Sequence, residues 1–282
     1  MERILEPQAM QAWARERRAA GETIAFVPTM GYLHEGHLSL MRLARARADH
    51  LVVSIFVNPL QFAPNEDLAT YPRDEEGDLA KCASVGADVV FFPTTASMYP
   101  PGSQTRVKPG PLAGPLCGRS RPTHFDGVVT VVLKLFNLVK PNLAVFGRKD
   151  FQQLQVIRRM VRDLDLDVEV VGGPIVREPD GLALSSRNAY LSAKERIQAL
   201  ALSQSLALAE QRLAAGPATA EDIVALATAH IGAQSLGEID YVELVDREEL
   251  TPAAGPLREP VLLAVAVRFG GTRLIDNRVL RP

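Results

Sequence analysis

Pro28-Thr29-Met30-Gly31-Tyr32-Leu33-His34-Glu35-Gly36-His37 stands between a β-branched run, Thr23 to Pro28, and a segment of helical period, Gly36 to Ala48. So abrupt a change of period, bridged by a glycine-containing loop, is what the first strand, loop and helix of a parallel sheet look like in sequence. Two histidines flank a glycine where the helix opens. Amides at a helix N-terminus attract phosphate, a glycine lets a nucleotide approach closely, and imidazole nitrogens can donate to phosphoryl oxygens as charge builds on them. The competing account is a polar loop with incidental histidines. The spacing is not the HExxH of zinc hydrolases, and the intervening glycine argues against a two-ligand helix face, so no residue is assigned to a metal.

Outward from this loop the same alternation continues. Further strands are expected at Leu51 to Phe56, Val89 to Phe92, Leu143 to Phe146 and Val168 to Val171, and helices at Asp74 to Val85, Gly127 to Val139 and Asp150 to Asp163. Strands alternating with helices predict an α/β fold, a Rossmann-like doubly wound parallel sheet, which binds ligands at the carboxyl ends of its strands. Pro93 to Phe125 is rich in Pro and Gly without a convincing period, and a loop of that length in a compact domain is usually functional or mobile. After Asn188 the pattern changes to two alanine- and leucine-rich helices, Ala193 to Ala215 and Thr219 to Gln234, followed by strands at Tyr241 to Val245, Val261 to Phe269 and Thr272 to Ile275. Gly270-Gly271 marks a tight hairpin. The expected organisation is a catalytic domain over residues 1–187 and a smaller C-terminal α+β lid domain over 188–282.

The 282 residues carry 31 basic and 33 acidic side chains, a net charge of -2 without the cationic excess that nucleic-acid binding requires. Cys82 and Cys117 form neither a CxxC pair nor a disulfide-dense pattern, which fits two unpaired thiols in a reducing, cytoplasmic compartment. Neither a signal peptide nor a membrane span is expected, because the longest apolar region, Val128 to Val139, is short and interrupted by Lys134 and Asn137.

Two more segments sit where chemistry is expected. Gly147-Arg148-Lys149-Asp150 follows a strand and opens a helix, where Lys149 would reach phosphates as a point charge. Alternatively Asp150 and Gln153 form a capping box and Lys149 is merely solvated. Leu184-Ser185-Ser186-Arg187 offers hydroxyls and a guanidinium at the domain junction, or is a plain interdomain turn.

His34-Glu35-Gly36-His37 resembles the HxGH signature of the nucleotidyltransferase superfamily, and the whole string from Pro28 is similar to that of pantothenate synthetases, the pantoate:beta-alanine ligases. Four further stretches match that family in order: Ser54 to Phe62, Arg121-Pro122-Thr123-His124-Phe125, Phe146 to Gln153 and Asp180 to Asn188. The closing Leu274-Ile275-Asp276-Asn277 extends the match over nearly the whole chain.

The resemblance implies that Met30, Gly31, Tyr32, Leu33, His34, Glu35, Gly36 and His37 line an ATP site, with His37 as proton donor in adenylate formation and His34 and Lys149 sharing the catalytic work. It extends that site to Gly147, Arg148, Asp150, Val176, Leu184, Ser185, Ser186 and Arg187, the last four as the counterpart of the superfamily's second signature loop. Gln61 and Gln153 match pantoate ligands, Gln61 also lying near beta-alanine, although a lone glutamine is usually a solvated side chain and Val176 is equally a strand residue. Arg121 and His124 are weak candidates for closing the site. The family commonly has Glu where Arg148 stands, which puts that side chain's role in doubt.

The implied reaction condenses (R)-pantoate with beta-alanine to pantothenate, AMP and diphosphate through a pantoyl adenylate. ATP enters with Mg2+, no prosthetic group is required, and the family forms homodimers without nucleic-acid or membrane partners. No nucleophilic residue is needed, because ATP supplies the leaving group and the protein supplies positioning. Two rivals are a nucleotidylyltransferase that keeps AMP on its product and a non-catalytic nucleotide sensor, for which this much cationic machinery is excessive. An aminoacyl-tRNA synthetase is disfavoured by the short chain and the absence of a basic anticodon-binding region.

Overall fold

In the computed structural model, which describes residues 1–64 and 66–282, the parallel half runs β1 (Glu2–Ile4), α1 (Pro7–Ala19), β2 (Ile24–Thr29), α2 (Glu35–Arg45), β3 (His50–Ile55), α3 (Glu75–Ser84) and β4 (Val89–Phe91). The short helices α4 (Thr95–Met98) and α5 (Cys117–Ser120) precede α6 (His124–Val139), β5 (Leu143–Gly147), α7 (Phe151–Asp163) and β6 (Glu169–Gly173). The C-terminal part contains α8 (Ala193–Ala199), α9 (Ala201–Ala214), α10 (Ala220–Gly232), β7 (Gly237–Val245), β8 (Val261–Phe269) and β9 (Thr272–Leu280).

The six-stranded sheet has the order β1-β4-β3-β2-β5-β6, and every pairing in it is parallel. Strands covered on both faces should be continuously apolar, and Ile24 to Val27 of β2 are indeed fully buried. Strand β2 pairs with β3 along its whole length but with β5 only at Ala25 and Phe26. Beyond Phe26 comes Pro28, which has no N–H to offer a ladder. The sheet therefore parts beside the carboxyl end of β2, where strand order reverses, and such a crevice is where doubly wound sheets bind ligands. Helix α2 packs Leu40, Met41 and Ala44 into the same core as Val53 and Val145.

The second sheet is antiparallel, ordered β7-β8-β9. Phe269 pairs with Thr272 across Gly270-Gly271, and Gly270 has φ +57°, as a two-residue hairpin turn demands. Leu202, Leu206, Ile223 and Ile231 from its helices share a core with Leu263, Val265 and Phe269 of β8.

The expected elements are present within a few residues of their expected bounds, with four differences. Strand β1 and helix α1 were not expected; β1 buries only Ile4, and α1 buries only Met10 and Ala14, so neither has a broad apolar stripe. The single helix expected from Ala193 to Ala215 is two helices parted at Leu200. Strand β9 continues past Ile275 to Leu280, because its polar Asp276 and Asn277 are buried with partners. Strand β7 begins at Gly237. The chain forms two compact units, one of residues 1–113, 121–148 and 153–174, the other of 114–120, 149–152 and 175–282. No helix among the described residues is long and apolar enough to cross a membrane.

Candidate active site

Strand β2 ends at Thr29, and its hydroxyl makes the first turn of the loop by donating to Ser54 C=O (2.8 Å) while accepting the Gly31 N–H (3.2 Å). Gly31 (φ +83°) and Tyr32 (φ +51°) are both left-handed, so the chain reverses sharply before helix α2. A Cβ on Gly31 would lie 2.9 Å from the Asp78 carboxylate and 3.0 Å from Ile55, which leaves glycine as the residue that fits. Two loop amides, those of Tyr32 and Leu33, donate to Asp78 at 2.8 and 2.7 Å. The amides left for an anion are those of Glu35 and Gly36 at the helix start, since the His37 N–H already donates to His34 C=O at 2.8 Å.

His34 is the N-cap of α2, and His37 sits at the third helical position. The His34 N–H donates to His37 Nδ1 (3.3 Å), and the two rings lie 4.1 Å apart between centroids. An acceptor Nδ1 puts the proton of a neutral imidazole on Nε2. The Glu35 carboxylate is engaged by Arg42 of the same helix, which holds it below its ordinary pKa.

The Gln61 Nε2 donates to Met30 Sδ at 3.2 Å, which joins the glutamine to the loop that follows β2. The other end of that amide is fixed by Asn58, whose Nδ2 donates to Gln61 Oε1 and to Gly127 C=O, both at 3.1 Å. Asn58 is 1% exposed, and its Oδ1 accepts from Leu60 N–H and from the Tyr99 hydroxyl (2.9 Å). Burial pushes the Tyr99 phenol up to about 12, so it stays a donor. A Cβ on Gly127 would fall 2.2 Å from Leu60 C=O, and the glycine in α6 is what lets this turn pack so closely. The Gln61 main chain is held as firmly: Arg121 donates to its carbonyl (3.2 Å), and His124 Nδ1 lies 2.9 Å from the same oxygen. Arg121 also grips Glu66 through two nitrogens at 2.6 and 2.7 Å. Burial opposes ionisation of Glu66, but the Arg121 bonds outweigh it and hold the carboxyl below its ordinary value. Arg121 and His124 thus brace the glutamine turn.

Gly147 closes β5 at the sheet's carboxyl edge, and a 3-10 turn, Arg148–Asp150, leads into α7. Arg148 packs over Gly172 of β6. Burial, and then the nearby Arg148 charge, depress the pKa of Arg158, so the residue that replaces the family's Glu faces a second cation.

The remaining expected residues belong to the second unit. Lys149 is fixed there through its carbonyl, which accepts from Asn277 Nδ2 at 2.8 Å. Val176 and Leu184 are joined by a backbone bond (3.0 Å) in a short antiparallel turn closed by Gly181 at φ +95°. Arg177 pairs bidentately with the buried Asp276 at 2.6 and 3.0 Å, so the closing sequence motif anchors this turn. Ser185 caps the 3-10 turn Ser186–Tyr190 by accepting the Arg187 N–H, and Asn188 ties it to Glu178 (2.6 Å) and Ala183 C=O (3.1 Å).

Sequence reasoning missed Asn58, Asp78 and Tyr99 as individual residues. Asn58 lies inside a quoted block without distinguishing itself, Asp78 is one of four carboxylates between Asp74 and Asp78, and Tyr99 is in the stretch without a period.

A parallel sheet that parts beside its central strand, with a His-x-Gly-His helix start at the parting, is the ligand-binding crevice of a doubly wound α/β protein. The family model for pantoate-beta-alanine ligase matches residues 2–279. The pantothenate synthetase of Geobacter sulfurreducens is 56% identical over 283 residues, covering 99% of this chain and 98% of that protein. The crystal structure of pantothenate synthetase from Thermus thermophilus superposes with a TM-score of 0.94 at 44% identity, covering both chains fully. A pantoate-beta-alanine ligase from Francisella tularensis, 33% identical with a TM-score of 0.80 and 99% and 97% coverage, is described as complexed with beta-gamma ATP and beta-alanine. The chain belongs to the pantoate-beta-alanine ligase family, and its reaction is the ligation of pantoate to beta-alanine.

Proposed function

We propose that the ligation runs through a pantoyl adenylate, with ATP at the loop after β2 and pantoate beside Gln61. The observation that carries this reading is the 3.2 Å contact between Gln61 Nε2 and Met30 Sδ, which puts the expected acid ligand against the expected nucleotide loop. The ATP and beta-alanine of the Francisella tularensis complex support the same substrates here.

A pantoate carboxylate oxygen attacks the α-phosphorus in line and pyrophosphate leaves. The beta-alanine amine then attacks the acyl carbon and AMP departs with the oxygen it gained. His37 serves as a donor through Nε2–H, its Nδ1 being the acceptor of the His34 N–H. His34, Lys149, Ser185, Ser186 and Arg187 supply further donors to the phosphates, and Gln153 joins Gln61 on pantoate. The family resemblance assigns residues 30–37, 147–150, Val176 and Leu184 to the rest of the ATP site. Charge dispersal of this kind, with positioning, is what phosphoryl-centre chemistry asks of a protein.

Among the described residues no cluster of three or more His, Cys, Asp or Glu side chains is placed to hold a metal. The family resemblance implies that magnesium would enter with ATP, where it would offset the charge of the phosphates. The family resemblance adds a cytoplasmic homodimer, which light scattering on the purified protein checks. The chemical test is product analysis with ATP, pantoate and beta-alanine. AMP, pyrophosphate and pantothenate, with pantoyl adenylate trapped when beta-alanine is withheld, support the scheme. ADP and phosphate would refute it.

A further inference from the structure

The loop that carries both histidines is held by a side chain outside every block that points to the nucleotide. Asp78 lies one turn into α3 and is 1% exposed. Its two oxygens are used one each: Oδ2 accepts the Tyr32 N–H at 2.8 Å and Oδ1 the Leu33 N–H at 2.7 Å. Tyr32 completes the left-handed reversal that begins at Gly31, and Leu33 leads directly into His34, the N-cap of α2. A left-handed Tyr32 is a strained conformation that persists only where its surroundings hold it. Leu33, 4% exposed, anchors the loop's other side in the core.

We propose that Asp78 is a positioning residue for the reaction: by gripping the Tyr32 and Leu33 amides it sets where His34 and His37 meet the nucleotide's phosphates. The proposal rests on the reading of His37 given above. The carboxylate is kept buried at a cost to the fold. Burial raises its pKa above the ordinary value, and the pull of the two amides and of Lys81 in the other direction, itself opposed by Asp74, does not cancel this. A group whose charge is expensive where it sits is retained for what it holds in place. It touches no substrate in this account and acts only through the loop.

Asp78→Asn tests it, because the amide keeps one acceptor and sets an NH2 donor against the second loop N–H, while the helix and its core are left as they are. A displacement of about 1 Å at a reacting group costs on the order of a hundredfold. The expected result is a fall of about ten- to a hundredfold in the rate of pantoate-dependent pyrophosphate exchange, with the melting temperature close to that of the parent. Leu79→Ala, the neighbouring apolar position on the same helix, serves as the control: it lowers the melting temperature and leaves the exchange rate within about twofold, since it removes packing and not the grip.

In a His37→Ala background, Asp78→Asn is expected to cost less than about threefold, because coupled residues are not additive. Equal losses in both backgrounds, or a rate loss in Leu79→Ala matching that of Asp78→Asn, would overturn the positioning role. Absence of exchange in the parent enzyme would instead defeat the adenylate reading itself, so the two failures are distinguishable.

Discussion

Replacing His37 with alanine removes two things of unequal weight, and the structure says how unequal. Inside the protein the ring accepts the His34 N–H at 3.3 Å, a long bond at a helix start, and lies 4.1 Å from the His34 ring. Such a bond is worth about 0.5 kcal/mol, at the low end for a neutral pair. For a chain of this size that corresponds to roughly 2 °C of melting temperature or less. Toward the substrate, the proposed role of the Nε2–H is to meet charge that grows on the phosphoryl oxygens, and loss of one such donor costs about 2.7 to 4 kcal/mol, on the order of a hundred- to a thousandfold in rate. His37→Ala should therefore fold and bind ATP nearly normally while single-turnover adenylation, followed by rapid quench with ATP and pantoate, slows by that factor. Calorimetry reports the ATP affinity and thermal denaturation the stability. Near-normal adenylation, or a rate loss explained by an equal loss of ATP affinity, would refute the reasoning.

Asn58→Ala leaves Gly127 C=O, Leu60 N–H, the Tyr99 hydroxyl and Gln61 without their shared partner. It should lose about 2 to 3 kcal/mol of stability and raise the pantoate KM, as thermal denaturation and exchange kinetics will report. Gln153→Glu should impair pantoate use severely through carboxylate repulsion and leave ATP affinity unchanged; a neutral amide orients a carboxylate without tying up the lone pairs that must reach phosphorus. Glutamate keeps nearly the same shape and can still cap the helix that begins near Asp150, so the stability should stay flat, and normal pantoate kinetics would remove Gln153 from the site. The folded-state pKa of Glu66 is depressed, so its contribution to stability is present above its unfolded value, about 4.3, and is lost as pH falls through the lower folded value. Glu66→Gln should accordingly flatten the acid limb of a melting-temperature profile between about pH 6 and 3, and a limb unchanged in slope would mean that the Arg121 grip is not what fails in acid.

The parallel sheet and its nucleotide loop were legible because β2, β3 and β5 are buried on both faces and read as apolar runs, and because Gly31 and the paired histidines punctuate the change of period. Elements with a thin apolar signal were not. Strand β1 exists through pairing with β4, far along the chain, and its three residues bury only Ile4. The break at Leu200 has no Gly or Pro to announce it. Asp276 and Asn277 looked like the end of a strand because their partners, Arg177 and the Lys149 carbonyl, are remote in sequence. The same limit explains the site: histidine and lysine advertise chemistry by type, whereas Asn58 and Asp78 matter through burial and through which backbone groups they bind.

Oxygen labelling tests, without any variant, the proposed attack of the pantoate carboxylate on the α-phosphorus of ATP. Pantoate labelled with 18O in both carboxylate oxygens, turned over with ATP and beta-alanine, should deliver one 18O into the phosphate of each AMP released, because the oxygen that bonds to phosphorus stays there when the amine displaces it. Label found in inorganic phosphate beside ADP, or AMP free of label, would rule out attack by the pantoate carboxylate on the α-phosphorus.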